Sequence, residues 1–165
     1  MSARLQRGRL ARRFCVVLLL ACGPGLAAAN PPVAAPVCDG SASQVRLQVR
    51  VAGLKAAKGN ITVTVYPDDA SRFLAKGAKL ARQRVPAVQP ATAACFVMPA
   101  AGSYAVAVYH DANNDRDFNR TFVGMPAEGF GFSRNPKTLL GLPRFSEVRF
   151  AAQPGDNLLE IQLSY

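Results

Sequence analysis

The sequence predicts an all-β protein: an antiparallel β-sandwich of about seven strands, immunoglobulin-like or transthyretin-like, with one short helix. Three observations predict it. Apolar residues recur at every second position in several short runs, turn-forming clusters separate the runs, and strands do not alternate with helical patterns as a parallel α/β sheet requires. Half of the 165 residues are hydrophobic and only 18% are charged. That is enough apolar material for one core, and it excludes a disordered chain.

The first strand is read from Val45, Leu47, Val49 and Val51 alternating with Arg46, Gln48 and Arg50. Gly53 to Asn60 turns the chain, and Ile61, Val63 and Val65 against Thr62, Thr64 and Tyr66 repeat the period in β-branched residues. Pro67-Asp68-Asp69 offers capping carboxylates for a short helix over Ala70 to Ala75, with Phe73 and Leu74 facing inward and Gly77 as the stop. Ala78 to Val85 reads as an edge strand ended by Pro86. Ala94 to Met98 and Ser103 to Tyr109 form a hairpin about Pro99 to Gly102, and Arg144 to Phe150 and Leu158 to Tyr165 close the sandwich around Gln153 to Asp156.

Residues 1–29 read as an export signal: five arginines before residue 14, the apolar run Phe14 to Ala21, and Ala27-Ala28-Ala29 ahead of Asn30. The apolar run is shorter than the roughly 20 residues a spanning helix needs, and no other stretch could span a bilayer. Leu19-Leu20-Ala21-Cys22 resembles a lipoprotein box, so a lipid anchor at Cys22 is the alternative to plain cleavage, and Arg12-Arg13-Phe14 partly resembles a twin-arginine signal. Residues 30–37 are a proline-rich linker and 38–165 the single sandwich domain. Of the formal charge of +10, half leaves with the signal: beyond it fifteen basic residues face ten acidic ones, a balance of +5. The expected location is the periplasm or the exterior, where Cys38 and Cys95 can pair. Closing their 57-residue separation would stabilise the fold by about 4 kcal/mol on the chain-entropy model.

Function is sought between His110 and Leu142, a connection longer than the roughly 12–15 residues usual for a structureless loop. His110 to Pro136 holds three aspartates, four asparagines and the only histidine. Asp111, Asn113, Asp115, Asp117 and Asn119 fall at every second position, so their short oxygen-bearing side chains can converge on a hard cation, and Ca²⁺ is the cofactor considered. The start resembles an EF-hand loop but has Arg116 at the glycine position and Phe122 at the place of the bidentate glutamate, which excludes an EF-hand. The competing reading is an Asx-rich turn in which Arg116 and Arg120 balance the carboxylates without metal. Glu128 is either a further oxygen ligand or a carboxylate that is solvated or paired with Arg134. Phe130 and Phe132 either present a flat recognition surface or fold back and bury over the sandwich end, which large side chains in a long loop commonly do.

These residues also carry a resemblance. Tyr104-Ala105-Val106-Ala107-Val108 followed by His110-Asp111, Asn113, Gly124, Pro126 and Glu128-Gly129-Phe130-Gly131-Phe132-Ser133 resembles the secreted bacterial family called domain of unknown function 2141, from about Val45 to Tyr165. In that family a glycine usually stands at the position of Arg116 and an aspartate at that of Asn119. The resemblance implies an exported β-sandwich without an assigned activity.

No Gly-rich phosphate loop, Cys-x-x-Cys pair or His-rich set is present, and the alternating arginines of the strands read as solvated faces rather than a nucleic-acid surface. Adjacent side chains on a strand point apart, so His110, Asp111 and Ser133 do not form a triad. The sequence therefore predicts a noncatalytic binding or envelope-structural module for an unknown envelope or extracellular ligand, with His110, Glu128, Phe130, Phe132 and Ser133 supporting the loop or touching the ligand. The alternative is an envelope hydrolase using His110, Asp111 and Glu128.

Overall fold

The computed structural model describes residues 38–138 and 141–165. The signal segment, the linker and Cys22 lie outside the described residues. The strands are β1 (Val45–Ala52), β2 (Asn60–Pro67), β3 (Ala81–Pro86), β4 (Ala91–Met98), β5 (Gly102–Asp111), β6 (Phe130–Phe132), β7 (Phe150–Ala152) and β8 (Gly155–Gln162), with one helix, α1 (Phe145–Val148). They form two sheets: β4-β1-β8, and β3-β2-β5-β6 with β7 also paired to β5. The all-β sandwich is the one expected. One pair departs from antiparallel: β8 runs parallel to β1, in the register Arg46↔Asp156 and Arg50↔Glu160. A parallel pair needs a long crossover, and here the whole intervening chain supplies it.

Between the sheets lie Leu47, Val49 and Val51 of β1, Ile61, Val63 and Val65 of β2, Phe96 and Met98 of β4, and Val106 and Val108 of β5. Each is the inward member of its alternation, and each such side chain taken from water contributes about 1.5–3 kcal/mol. The outward arginines of β1 meet opposite charge across the parallel ladder, Arg46 to Asp156 at 2.6 Å and Arg50 to Glu160 at 3.0 Å. Such pairs pin the register more than they stabilise, at up to about 1 kcal/mol each. Cys38 is bonded to Cys95 of β4 with Cα atoms 5.5 Å apart, which ties the start of the domain to an edge strand.

Two elements fall elsewhere than the sequence suggests. Residues Ala70 to Ala75 form successive turns rather than a helix, with Leu74 in the left-handed region at φ 59°. Asp69 accepts the Ser71 N–H and hydroxyl instead of capping a helix, and six residues are too few to nucleate one unaided. The short helix is α1, within the stretch that reads as a strand from Arg144 to Phe150. Phe145 and Val148 stand three residues apart, a helical spacing that two-residue counting misses.

The outer face of the larger sheet carries a second apolar cluster of Tyr66, Ala105, Phe132 and Val148, with Phe73, Phe130 and Phe145 packed on it. Ser133 locks α1 to this face. It is fully buried, its hydroxyl accepts the Val106 N–H at 2.9 Å and donates to the Val148 carbonyl at 2.5 Å, so it holds structure and has no free hydroxyl for attack.

Candidate metal centre

β5 delivers His110 and Asp111 as its last two residues, so they belong to the strand and not to the loop. Alternation sends their side chains to opposite faces. His110 is buried, with Nε2 2.7 Å from the Lys58 carbonyl and Nδ1 2.7 Å from the Tyr165 hydroxyl. A carbonyl only accepts, so Nε2 carries a proton and donates to Lys58. The Tyr165 hydroxyl accepts the Lys55 N–H at 3.1 Å. The imidazole thus joins the β1–β2 turn to the C-terminal segment. Neither ring nitrogen is turned to Asp111 or Glu128, and the structure does not assemble the three as the hydrolase alternative needs.

Asp111 is fully buried. Its Oδ2 accepts the Arg116 N–H at 3.0 Å, while its Oδ1 has no hydrogen-bond partner among the described residues. Arg116, which donates that N–H, adopts φ 67°. The sequence gives no glycine for this sharp turn, yet the backbone makes it, at a cost of about 1–2 kcal/mol for a residue bearing a Cβ. Asn114 is also left-handed, at φ 63°, and its side-chain oxygen accepts from Asn60 at 2.5 Å.

Within the turn, Asp115 Oδ2 accepts from the side-chain amides of Asn113 at 2.8 Å and Asn119 at 2.9 Å, and its Oδ1 accepts the Asp117 N–H at 2.8 Å. Asn113, Asp115 and Asn119 are therefore brought together. Asp117 is not: its Oδ1 accepts the Phe118 N–H at 2.9 Å. Glu128 closes the loop from the other side, its Oε1 accepting the Ala112 N–H at 3.3 Å and its Oε2 the Asn119 N–H at 3.1 Å. It is buried and does not pair with Arg134, whose guanidinium donates to the Ser146 and Arg149 carbonyls.

The charge balance offered by Arg116 and Arg120 does not form either. None of the ion pairs among the described residues involves Asp111, Asp115, Asp117 or Glu128. Nor do three His, Cys, Asp or Glu side chains stand together at metal-binding separation among those residues. Amide donors occupy the middle of the turn. An asparagine amide presents an oxygen when turned half over, so the same side chains can offer acceptors where they now offer donors.

Burial pushes the Glu128 carboxyl above the usual range, helped by the charges of Asp111 and Asp115 and opposed by its two backbone hydrogen bonds. Asp115 is held below its usual range by the Asp117 N–H and by the Asn119 and Asn113 amides. The two act oppositely on stability. For Glu128 the native state binds its proton more tightly than the unfolded state, so stability falls as pH rises from the ordinary glutamate range through the raised native value, then levels off. For Asp115 stability is lost as pH falls below the ordinary aspartate range. In cation-free buffer, Glu128→Gln is expected to remove the upper declining stretch and leave the lower one, read from urea midpoints across pH.

Phe130 and Phe132 do fold back, onto the outer face of the larger sheet rather than over the sandwich end. Phe132 is buried and Phe130 half-buried, and edge-on contacts link Phe73, Phe132, Phe130 and Phe118. Gly131 between them faces the other way, where a Cβ would lie 2.7 Å from Ile161 Cγ2. Sequence reasoning missed Gly59, whose φ of 72° brings the β1–β2 turn against the backbone of Asp111; its signal was a glycine directly before the second alternating run.

No curated protein and no solved structure matches the chain. A family match does extend over residues 49–159, which takes in both sheets and the whole loop from Asp111 to Glu128. The chain belongs to the family described as "uncharacterized protein conserved in bacteria (DUF2141)".

Proposed function

We propose that this chain is an exported, noncatalytic β-sandwich module of the bacterial envelope or exterior whose loop from Asp111 to Glu128 takes up Ca²⁺. The observation that carries the reading is Asp111 Oδ1, fully buried and without a hydrogen-bond partner among the described residues, in a loop that also holds the buried Glu128. An unpaired buried carboxylate oxygen is costly, and a hard cation is the partner that offsets most of that cost. Asp111 and Glu128 would supply the charge, Asn113 and Asn119 neutral oxygens once their amides turn, and Asp115 would join them only as the loop draws in, since the three carboxylates do not stand together in the cation-free structure. Export is supported by the N-terminal basic and apolar pattern and by the Cys38–Cys95 bond.

Melting with and without Ca²⁺ tests this. At a hundredfold excess over Kd a single site adds about 2.7 kcal/mol, or roughly 8–12 °C in a domain of this size. Asp111→Asn is expected to abolish that rise yet to melt no lower than the wild type in cation-free buffer, because it keeps the acceptor for Arg116 and removes the buried charge. A wild type indifferent to Ca²⁺ contradicts the reading.

A further inference from the structure

Among the described residues, the buried side-chain polar atoms without a hydrogen-bond partner are Asp111 Oδ1 and Thr62 Oγ1. Both side chains are fully buried. They also share a face. Ile61, Val63 and Val65 of β2 and Val106 and Val108 of β5 point between the sheets, so Asn60, Thr62, Tyr109 and Asp111 stand on the outer face of the larger sheet. The register Asn60↔Asp111 and Thr62↔Tyr109 makes Thr62 and Asp111 diagonal neighbours, with Cβ atoms about 7–8 Å apart or less.

The acidic loop roofs this corner. Asn60 donates to the Asn114 side chain at 2.5 Å, and the Tyr109 ring meets that of Phe118 at 5.7 Å between centroids. The loop thus touches both the neighbour of Thr62 along β2 and its partner across on β5. The next hydroxyl on the same face is satisfied from the other side: Thr64 accepts from Arg82, its partner on β3, at 2.8 Å. Thr62 stands opposite Arg84, which is exposed and gives it no such bond.

We propose that Thr62 Oγ1 is a further ligand of the cation bound by Asp111, supplied by the sheet and not by the loop. The inference rests on the Ca²⁺ reading above. Two oxygens on one Ca²⁺ can stand up to about 5 Å apart, twice the usual bond of roughly 2.3–2.6 Å, a span within reach of side chains on a diagonal pair. A hydroxyl oxygen offers lone pairs and adds no charge. Unlike the Asn113 and Asn119 amides, it breaks no hydrogen bond in order to ligate. The rival partner is a trapped water that donates to Asp111 and accepts from Thr62.

Calorimetric titration of the full chain with Ca²⁺ separates the two. Thr62→Val, which puts a methyl group where the hydroxyl stands, should bind Ca²⁺ about 10- to 100-fold more weakly than the wild type, and Thr62→Ser, which keeps the oxygen, nearly as tightly. In cation-free buffer Thr62→Val should melt no lower than the wild type, since the hydroxyl has no bond to lose. A valine variant that binds Ca²⁺ as tightly as the wild type overturns the proposal, and a lower melting temperature beside it assigns the hydroxyl to water. A second measurement needs no variant. In ¹³C-labelled wild type the Thr62 Cβ resonance should move and saturate at one equivalent of Ca²⁺ while that of Thr64 stays in place. A Thr62 signal that stays while the loop amides move overturns the proposal and leaves the loop to bind alone, whereas a wild type that takes up no Ca²⁺ overturns the reading on which it rests.

Discussion

Gly59→Ala is expected to destabilise the protein by about 2–5 kcal/mol, combining the left-handed penalty with steric overlap. Gly59 sits at φ 72°, and a Cβ there would lie 2.0 Å from the Asp111 carbonyl oxygen and 2.7 Å from Ala112 Cα. Both neighbours are backbone, so no side-chain rotation relieves the overlap. The end of β5 would have to shift, and with it the Asp111 carboxylate. The variant should therefore lose its response to Ca²⁺ along with stability. Gly77→Ala is the control: at φ 76° with no atom within 4 Å of the added Cβ, it carries the conformational cost alone, about 1–2 kcal/mol. Urea unfolding of the two variants separates the terms, and equal losses would show that the Gly59 contact is not tight.

Removing the Cys38–Cys95 bond should have a comparable effect. With a sequence separation of 57, the chain-entropy model gives about 4 kcal/mol, and in a domain of this size the melting temperature should fall by roughly 10–20 °C. Cys38 is buried against the outer side of β4, and β4 is an edge of the smaller sheet. Replacing both cysteines with alanine is the informative variant, because it leaves neither partner of the bond as a free thiol. Melting it beside the oxidised wild type checks the magnitude. A fall of a degree or two would mean that the unfolded chain is already compact, or that the start of the domain is held by other contacts.

The frame was legible where one face of a strand is buried and the other wet. Val45 to Val51 and Leu159 to Leu163 show their period because solvent enforces it. Legibility failed where that contrast is missing. Phe130–Phe132 is three residues long with a glycine at its centre, so β6 carries no readable period and looked like loop. Its partner β5 supplies the order, through Ala107↔Phe132 and Tyr109↔Phe130. The helix at Phe145–Val148 was hidden for the opposite reason: four residues satisfy a period of two nearly as well as one of 3.6.

At the candidate site the residue types were legible and their partners were not. Spacing two marked Asp111, Asn113, Asp115 and Asn119, but it gave Asp117 equal weight, and Asp117 bonds its neighbour's N–H. Arg116 read as an obstacle to the turn because a Cβ disfavours φ above zero; the Asp111–Arg116 hydrogen bond recovers part of that cost, and no count of residues reveals it. Glu128 lies 17 positions beyond Asp111, and only the hairpin between Asn119 and Ala127 returns it to the loop.

The central claim is that one cation enters between Asp111 and Glu128. Three N–H groups report on it directly: that of Arg116 on Asp111 Oδ2, and those of Ala112 and Asn119 on the two oxygens of Glu128. In a ¹⁵N-labelled sample titrated with Ca²⁺, these amides should shift in a saturable way at one equivalent, while Gly77 and Gly102, distant in the fold, stay in place. Amides of the loop that remain where they are, or that drift together with Gly77 and Gly102 without saturating, would contradict it.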